Sequence, residues 1–366
     1  MNEILYVTRF FAQAAEKFGW QIAGYALAYK IAAAFGIISL ASSMVLSATL
    51  TTAMLVHFDV RPNLGLMRLS LLFRMLSFFV LCFAAVHSSL PLLLLGGSLS
   101  GLFVGLFWPS FYRAHDQHEN EIEDWNLFER ICSVALVVFS AFLIDRFDVA
   151  PILLLSSLMA TLSLLISLKL NGFAEHNHLA RIVPDQLQIQ PLAQLAFIEG
   201  SLNTGTTTVR ALITLTDTIK IPGLPEIFSL ALLIALSTAL GAYTTKKLKD
   251  RGVGNSVRVR FGLIICFVSG ILLFGISTWL LGMLLIGIGS SILFPLTKNT
   301  VDNGLRSMGV GGRGMREYYR NCGRLAVVAV VGVIWLVTES VLATSILLTS
   351  IILVFAHSWR VTPLRG

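Results

Sequence analysis

Hydrophobic blocks of about 20 residues recur along the whole chain and are separated by short polar segments. A helix of about that length crosses the hydrocarbon core of a bilayer. The pattern predicts twelve membrane-spanning helices, at 4–28, 36–57, 66–87, 91–112, 127–145, 150–170, 191–218, 224–246, 259–277, 279–297, 320–338 and 340–358. Arg9, Glu16 and Lys17 interrupt the first block. The alternative for that block is an amphipathic helix at the membrane interface, which leaves eleven crossings.

The composition agrees with a protein of the membrane interior. Of the 366 residues, 55% are hydrophobic and 13% are charged, and the mean hydropathy is +0.79. Soluble domains carry about 25% charged residues, so the composition indicates an integral, multi-pass membrane protein. The alternating pattern of an outer-membrane barrel is absent, and the predicted fold class is therefore all-α.

The basic residues predict the orientation in the membrane. Basic clusters at 246–251, 306–316 and 360–365 fall on one side of the predicted topology. The positive-inside rule makes that side cytoplasmic and places both termini there. Because these residues occupy short loops, the net charge of +7 does not indicate a nucleic-acid partner. The compact loops favour a bacterial inner membrane.

Short sequence echoes indicate an internal repeat. Four pairs of matching segments occur in the same order in the two halves, each pair separated by about half the chain: 12–15 with 193–196, 51–52 with 244–245, 107–109 with 293–295, and 130–133 with 320–323. This order predicts a parallel repeat of six helices plus six. The predicted organisation is an N-terminal bundle at 1–170, a polar cytoplasmic linker at 171–190 and a C-terminal bundle at 191–366.

One loop motif resembles that of a known transporter family. The segment that begins at Gly241, continues through Asp250 and Arg251 and ends at Gly254 is similar to the inner-loop motif of the major facilitator superfamily. The corresponding loop of the first half keeps only Asp59, Arg61 and Gly65 of the pattern. The fifth span lacks the Gly-Pro signature of the drug–proton antiporters, so the subfamily is not identified.

The resemblance implies two six-helix bundles that rock about a central site near the membrane midplane. It also implies that the first, fourth, seventh and tenth helices line the cavity. Inner-loop residues of the two halves are then expected to gate it: Asp59, Arg61, Asp250, Arg251, Arg130 and Arg320. The plain alternative for the last two arginines is their contribution to the positive-inside bias.

The seventh predicted span carries a polar stripe. Its positions recur at helical spacing on one face: Glu199, Asn203, Thr206, Arg210, Thr214 and Asp217. A charge at the bilayer centre costs roughly 2.5–3.5 kcal/mol, so the stripe is expected to face other protein or a watery cavity. The same spacing relates Arg9, Gln13, Glu16 and Trp20 of the first span, with Lys17 beside them.

These two stripes supply the candidate substrate and coupling residues. Glu199 and Arg210 are about 16 Å apart along one helix, so partners on other helices are expected, such as Glu16 with Arg210 or Lys17 with Glu199. In the functional interpretation Arg210 receives an anionic group, and Glu199 or Glu16 carries a proton or orients a cation. The alternative is a purely structural ion pair between the bundles.

The fourth span combines glycines with aromatic residues. Gly97, Gly101 and Gly105 follow one another at four-residue spacing, which permits close helix packing. Trp108 and Tyr112 are either cavity aromatics or anchors at the membrane interface, and the sequence does not distinguish the two.

Motifs of enzymes are absent from the sequence. It has no P-loop, dinucleotide fingerprint, HExxH zinc motif or nucleophile elbow, so no catalytic residues and no cofactor are predicted. The loop His115–Asp124 contains histidines and carboxylates, but without a ligand spacing it is interpreted as solvated loop, not as a metal site.

The sequence therefore predicts a secondary active transporter. It would move a small solute, anionic or zwitterionic, by alternating access and would be driven by a proton or ion gradient. Its other partner is the lipid bilayer. Two alternatives stay open: a lipid or lysolipid translocase on the same fold, and a membrane scaffold or sensor without transport activity.

Overall fold

The computed structural model describes residues 2–58, 60, 62–115, 123–170, 186–216, 218–219, 221–307 and 312–361. Long helices account for nearly all of these residues, and the described part contains no β-strand. The helices are α1 Asn2–Ala15, a π-helix Glu16–Gly24, α2 Tyr25–His57, α3 Leu64–His87, α4 Leu90–His115, α5 Glu123–Phe147, α6 Val149–Ser167, α7 Gln186–Leu215, α8 Glu226–Asp250, α9 Asn255–Leu272, α10 Trp279–Ser307, α11 Gly312–Thr338 and α12 Val341–Val361.

The first 55-residue helical segment crosses the membrane twice. In α2 the helical geometry breaks at Ala32 and Ala33, where Ala33 has a φ of 48°. Leu5, near the start of α1, and Ala48, near the end of α2, belong to the same buried cluster. The chain therefore reverses at this corner, and the second part of α2 returns to the side from which α1 started.

The first crossing lies along α6. The Ser163 hydroxyl donates to the Thr8 carbonyl at 2.7 Å near one end, and Lys30 donates to Asp148 at 2.8 Å near the other. The hydrogen bond from Lys30 holds the pKa of the exposed Asp148 carboxyl below its usual value. A helix that accompanies a membrane-spanning neighbour for its whole length is itself a crossing, so the interfacial alternative for the first span is wrong.

Nine helical segments of the described residues are long and apolar enough to cross a membrane, and one of them is the double segment Glu3–His57. The more polar α5 and α7 complete a set of twelve crossings. The contacts in the first half recur six helices later. The recurring pairs are α1–α6 with α7–α12, α2–α4 with α8–α10, α3–α4 with α9–α10, and α3–α6 with α9–α12. The predicted fold class, all-α with a parallel repeat of six helices, is confirmed, whereas the exact bundle boundaries stay a prediction.

The most extensive contacts between the two halves are those of α2 with α11 and of α5 with α8. The Thr49 hydroxyl of α2 donates to the Asn321 carbonyl of α11 at 3.1 Å. Eleven residues further along each helix, in opposite directions, Ile38 packs against Gly332. The contact therefore extends over about 16 Å of two antiparallel helices.

Within the second half, α7 and α11 run parallel and touch through their backbones. A Cβ atom placed on Gly200 would lie 2.0 Å from the Arg320 carbonyl oxygen, and one on Gly323 would lie 1.8 Å from the Phe197 carbonyl oxygen. The Ser201 hydroxyl donates to the Gly323 carbonyl at 3.0 Å and fixes the crossing. Small residues permit this close approach of helices in a membrane.

The glycines of α4 have the predicted packing role. Gly97, Gly101 and Gly105 all face α2, and a Cβ atom on Gly101 would lie 2.1 Å from the Met44 carbonyl oxygen. The first half thus uses the same device for α2 and α4 that the second half uses for α7 and α11.

Three predicted helix boundaries are wrong. The seventh helix begins at Gln186, inside the predicted linker 171–190, and α10 continues to Ser307. The eleventh helix begins at Gly312, eight residues before the predicted start at 320. Hydropathy misses these ends because they are polar. The consequence for the site is that Asp302, Arg316 and Glu317 lie on helices and not in a loop.

We predict that Gly323→Ala prevents or severely weakens folding, because the new methyl group would overlap the backbone of α7. We expect the free energy of unfolding to fall by about 3 kcal/mol or more, which would appear as a lower unfolding midpoint of the purified protein in detergent. Gly24→Ala is the matched control, since its Cβ would come no closer than 3.5 Å to any neighbour. Equal midpoints for the two variants would contradict the backbone contact.

Candidate functional site

A cluster of charged side chains is buried where α7, α10 and α11 meet. Glu199 of α7 and Glu317 of α11 are each 1% exposed, and Arg316 of α11 is 3% exposed. Arg320, one turn further along α11, and Asp302 of α10 complete the cluster. The close crossing at Gly200 and Gly323 brings the residues of α7 and α11 together, because these two positions carry no side chain to hold the helices apart.

Two arginines of α11 bind the two glutamates. Arg316 donates to both carboxylate oxygens of Glu199, at 2.9 and 3.0 Å, and to Glu317 at 2.9 Å. Arg320 lies 3.2 Å from Glu199 and 3.2 Å from Glu317. Each glutamate therefore has two guanidinium partners, and such charge-assisted bonds are about twice as strong as neutral ones.

Asp302 is the third acid of the cluster and is held more loosely. Its Oδ1 atom lies 3.9 Å from the Nε atom of Arg316, and this buried oxygen accepts no hydrogen bond within the described residues. Buried carboxylates are normally hydrogen-bonded, so Asp302 differs from its two neighbours.

Arg324 extends the arginine row of α11 by one more turn. It is half-buried, and it donates to the Asn321 side chain at 2.9 Å. Asn321 in turn donates to the Thr52 hydroxyl of α2 at 3.4 Å. The row of arginines is thus connected to the contact between the two halves of the protein.

Arg210 lies apart from this cluster. It is 6% exposed, and its guanidinium donates to the Met283 carbonyl at 3.1 Å and to the Ser237 hydroxyl at 3.5 Å. It therefore faces α8 and α10. The predicted pairing of Glu16 with Arg210 is wrong, because α7 turns this side chain away from the first crossing.

Glu16 pairs instead with Arg74 of α3, at 3.3 Å. Arg74 is fully buried; it also donates to Ser100 at 2.5 Å and lies over the rings of Phe78 and Phe103, 4.8 and 4.6 Å from their centroids. Stacking on two rings adds cation–π attraction to the ion pair. The Glu16 side chain keeps 27% of its surface exposed.

The first crossing does not have the predicted helical face. From Glu16 onward the chain is a π-helix, so residues no longer recur every 3.6 positions. Trp20 is buried, whereas Gln13 and Lys17 are half-buried. The predicted pairing of Lys17 with Glu199 is also wrong, because the ion-pair partners of Glu199 are Arg316 and Arg320.

The other predicted residues of α7 have different surroundings. Thr206 is buried, and its hydroxyl donates to the Leu202 carbonyl of its own helix at 2.6 Å. Asn203 is half-buried and lies one turn beyond Glu199 on the same face. The stripe is therefore mainly packed against protein, with Asn203 at its open edge.

Trp108 packs within the first half. Its ring meets those of Phe107 and Phe111 edge-on, at 5.2 and 6.1 Å between centroids. These contacts are those of a core residue at the end of α4. Tyr112 also belongs to α4, but its side chain lies outside the described residues.

The structure describes the side chains of three of the six predicted gating residues. Asp250 and Arg251 are exposed at the end of α8. Asp59 and Arg61 lie outside the described residues, as does the side chain of Arg130. Arg320 is the exception, since it belongs to the buried cluster. The interpretation of these residues as a gate stays a prediction.

Among the described residues, no three His, Cys, Asp or Glu side chains are grouped in a way that could hold a metal ion. Most of the loop His115–Asp124 lies outside them. The described side chains of the cluster are carboxylates and guanidiniums joined by ion pairs.

Sequence reasoning placed Asp302 and Glu317 near Arg320 as ion-pair candidates, and it missed three residues of these networks: Arg74, Arg316 and Arg324. A signal for the last two was present, because Arg316, Arg320 and Arg324 recur at four-residue spacing and so share one helix face. It was missed because two of the three were assigned to a loop or its edge.

No family model matches the sequence, and neither does any curated protein sequence compared with it. Solved structures do match. A mutant of the nucleoside transporter NupG gives a TM-score of 0.70 at 12% identity and covers 98% of both chains. The transporter FucP in its outward conformation gives 0.63 at 14% identity, with 98% of this chain and 99% of that chain covered. An E. coli FucP structure, described as a fucose:proton symporter, gives 0.63 at 13% identity with 98% of both chains. The chain therefore has the fold of major facilitator superfamily transporters.

We predict that Glu199→Gln destabilises the protein by about 3 kcal/mol, because it leaves the buried Arg316 and Arg320 with one glutamate between them. Glu339→Gln, at an exposed site, should change the free energy of unfolding in detergent by less than about 0.5 kcal/mol. Asp302→Asn should lie between the two, because the Asp302 Oδ1 atom has no hydrogen bond to lose. If Glu199→Gln behaves like the exposed control, the buried ion pairs are not those described.

Proposed function

We propose that the chain is a secondary active transporter that moves a small polar solute across the bilayer by alternating access. The observation that carries the proposal is the buried charge cluster on α7 and α11, directly beside the contact of α11 with α2. Ionisable groups inside a membrane protein are costly, and they usually mark the path of a substrate or an ion. The fold likeness to nucleoside and fucose transporters supports the same conclusion.

The two kinds of helix contact suggest which parts move. The backbone crossing makes α7 and α11 one rigid unit. In contrast, α2 and α11 are joined by side-chain hydrogen bonds such as that from Thr49 to Asn321. Separation of α2 from α11 would open the interior on that side at the cost of a few weak bonds, which is what rocking of two bundles requires.

We assign proton coupling to Glu16 in preference to Glu199. Glu199 is almost completely buried and is held by two arginines, whereas Glu16 is partly exposed and has one ion partner. If Glu16 binds a proton, Arg74 loses its ion pair but still donates to Ser100 and still stacks on Phe78 and Phe103. These contacts continue to stabilise the buried guanidinium charge. A fucose:proton symporter among the similar structures favours protons as the coupling ion.

The solute class stays open at this level. The similar structures include a nucleoside transporter and a fucose transporter, while the charged residues of this chain favour an anionic or zwitterionic solute. A bacterial inner membrane, cytoplasmic termini and gating by Asp59, Arg61, Asp250, Arg251 and Arg130 are further parts of the proposal.

The test uses purified protein in proteoliposomes that contain a pH-sensitive dye. We expect at least one of three solute pools (nucleosides, neutral hexoses, small organic acids) to drive proton entry and to support counterflow of a labelled member. Glu16→Gln should lower solute-driven proton entry at least tenfold and leave counterflow within about twofold, because exchange needs no net proton movement. The control is Glu339→Gln, which should change neither.

Single-cysteine labelling at Thr207 gives an independent measure of alternating access. Thr207 is half-buried in the middle of α7. A membrane-impermeant reagent should reach it from both sides of the membrane in a balance that the active pool shifts. Absence of counterflow together with a site closed from both sides would refute the transporter and favour a scaffold or sensor. Movement of labelled lysolipid instead of the three pools would favour the translocase.

A further inference from the structure

Arg324 differs from Arg316 and Arg320, because no acid among the described residues lies at ion-pair distance from it. Arg316 and Arg320 each pair with both Glu199 and Glu317. Asp302 adds a third acid, 3.9 Å from Arg316. Within the described residues Arg324 has no carboxylate at ion-pair distance, and its one hydrogen-bond acceptor is the neutral Asn321. A guanidinium has five N–H donors, so most of its binding capacity is unused.

Asn203 of α7 lies level with Arg324. Because α7 and α11 are parallel, Gly200 contacts the backbone of Arg320 and Gly205 contacts Val327, which places the residues between them side by side. Glu199 and Arg320 form an ion pair. Asn203 lies one turn beyond Glu199, and Arg324 lies one turn beyond Arg320. The two residues therefore lie at the same level along the paired helices.

The helices that carry Asn203 and Arg324 are each surrounded by other helices. Asn203 and Arg324 are half-buried. Five helices surround α7, namely α2, α8, α10, α11 and α12, and α11 likewise contacts α2, α4, α7, α10 and α12. A partly exposed arginine in the middle of such a helix faces water within the protein, because a lipid-facing guanidinium is strongly unfavourable.

We infer that Arg324 binds an anionic group of the transported solute, with the Asn203 amide beside it as a second donor. A guanidinium matches the planar geometry of a carboxylate and the oxygens of a phosphate, so the solute class is a small organic carboxylate or phosphate ester. This inference rests on the proposed transport function and names its substrate class. It replaces Arg210 as the anion-binding residue, because the Arg210 guanidinium is directed toward α8 and α10.

The connection to Asn321 gives the anion a route to the moving interface. The Asn321 side chain accepts a hydrogen bond from Arg324 through Oδ1 and donates one to the Thr52 hydroxyl through Nδ2. The backbone carbonyl of Asn321 accepts a hydrogen bond from the Thr49 hydroxyl. An anion that draws the guanidinium toward itself would weaken the bond to Asn321, one of the side chains that join α11 to α2. Binding of the solute and separation of the two halves are thereby coupled.

The experiment measures the charge selectivity of a cysteine placed at Asn203. The background has the four free cysteines Cys82, Cys132, Cys266 and Cys322 replaced. Labelling rates with the anionic reagent MTSES and the cationic reagent MTSET are divided by their rates with a small free thiol. We expect this anion-to-cation ratio to fall about tenfold in Arg324→Gln. Arg324→Lys should keep it within about threefold, and Arg260→Gln, which removes an exposed arginine of α9, should leave it unchanged.

Protection by named anions separates binding from mere proximity of a charge. Phosphate, pyruvate and glucuronate at millimolar concentration are tested against labelling of the same cysteine by the neutral reagent methyl methanethiosulfonate, with glucose as the uncharged counterpart of glucuronate. At least one anion should slow labelling several-fold when Arg324 is present and not in Arg324→Gln. Elution of each variant as a monodisperse species verifies that it is folded.

Three results would overturn the inference, and they differ in what they mean for transport. If the cysteine is labelled from both sides without charge preference, Arg324 is not the anion site, although alternating access stands. If charge preference is present but no anion protects, Arg324 is a structural cation. If the cysteine reacts with no reagent from either side, the space beside Arg324 is closed, and the transport proposal fails together with the inference.

Discussion

The contact of α7 with α11 through their backbones is the constraint on which the candidate site depends. Gly200 and Gly323 have no side chains, so at these two positions the helices approach until glycine meets carbonyl oxygen. At that separation two arginines of one helix reach a glutamate of the other. A larger residue at either position would move the helices apart and leave buried charges without partners, which is far more costly than the loss of packing alone.

Neutralisation inside the cluster gives the neighbouring residues their significance. Glu199 and Glu317 satisfy Arg316 and Arg320, which makes this part of the site a rigid support. The groups outside that closed set, Glu16 on one half and Arg324 on the other, are partly exposed. Arg316, Arg320 and Arg324 look alike in the sequence, at four-residue spacing, but Arg316 and Arg320 form ion pairs with Glu199 and Glu317, whereas Arg324 donates to Asn321.

The length of the hydrophobic blocks predicted the twelve crossings, because it follows from the thickness of the bilayer. The short matching segments predicted the repeat, because each half uses the same residues at the same places. The sequence also identified Glu199 and Glu16 as charged residues that face other protein or water inside the membrane; Glu199 is buried, whereas Glu16 keeps 27% of its side-chain surface exposed. It did not identify their partners. Pairing depends on helix rotation, and the π-helix after Glu16 changes that rotation without any residue that signals it. Arg316 was missed because the polar end of α11 resembles a loop when judged by hydropathy, while packing against α7 keeps it helical.

The corner at Ala32–Ala33 has a consequence for biosynthesis. Almost no loop joins the first two crossings, so the membrane-insertion machinery receives them as one helical hairpin of 55 residues. The leading limb carries Arg9, Glu16 and Lys17, whereas the returning limb from Ala33 to His57 carries no Asp, Glu, Lys or Arg. If the two limbs enter the bilayer together, the apolar limb offsets the cost of inserting the polar limb before α3, with the Glu16 partner Arg74, has been synthesised. Insertion of the charged first helix would thus be helped by the apolar limb that follows it directly in the chain, as well as by the final packing.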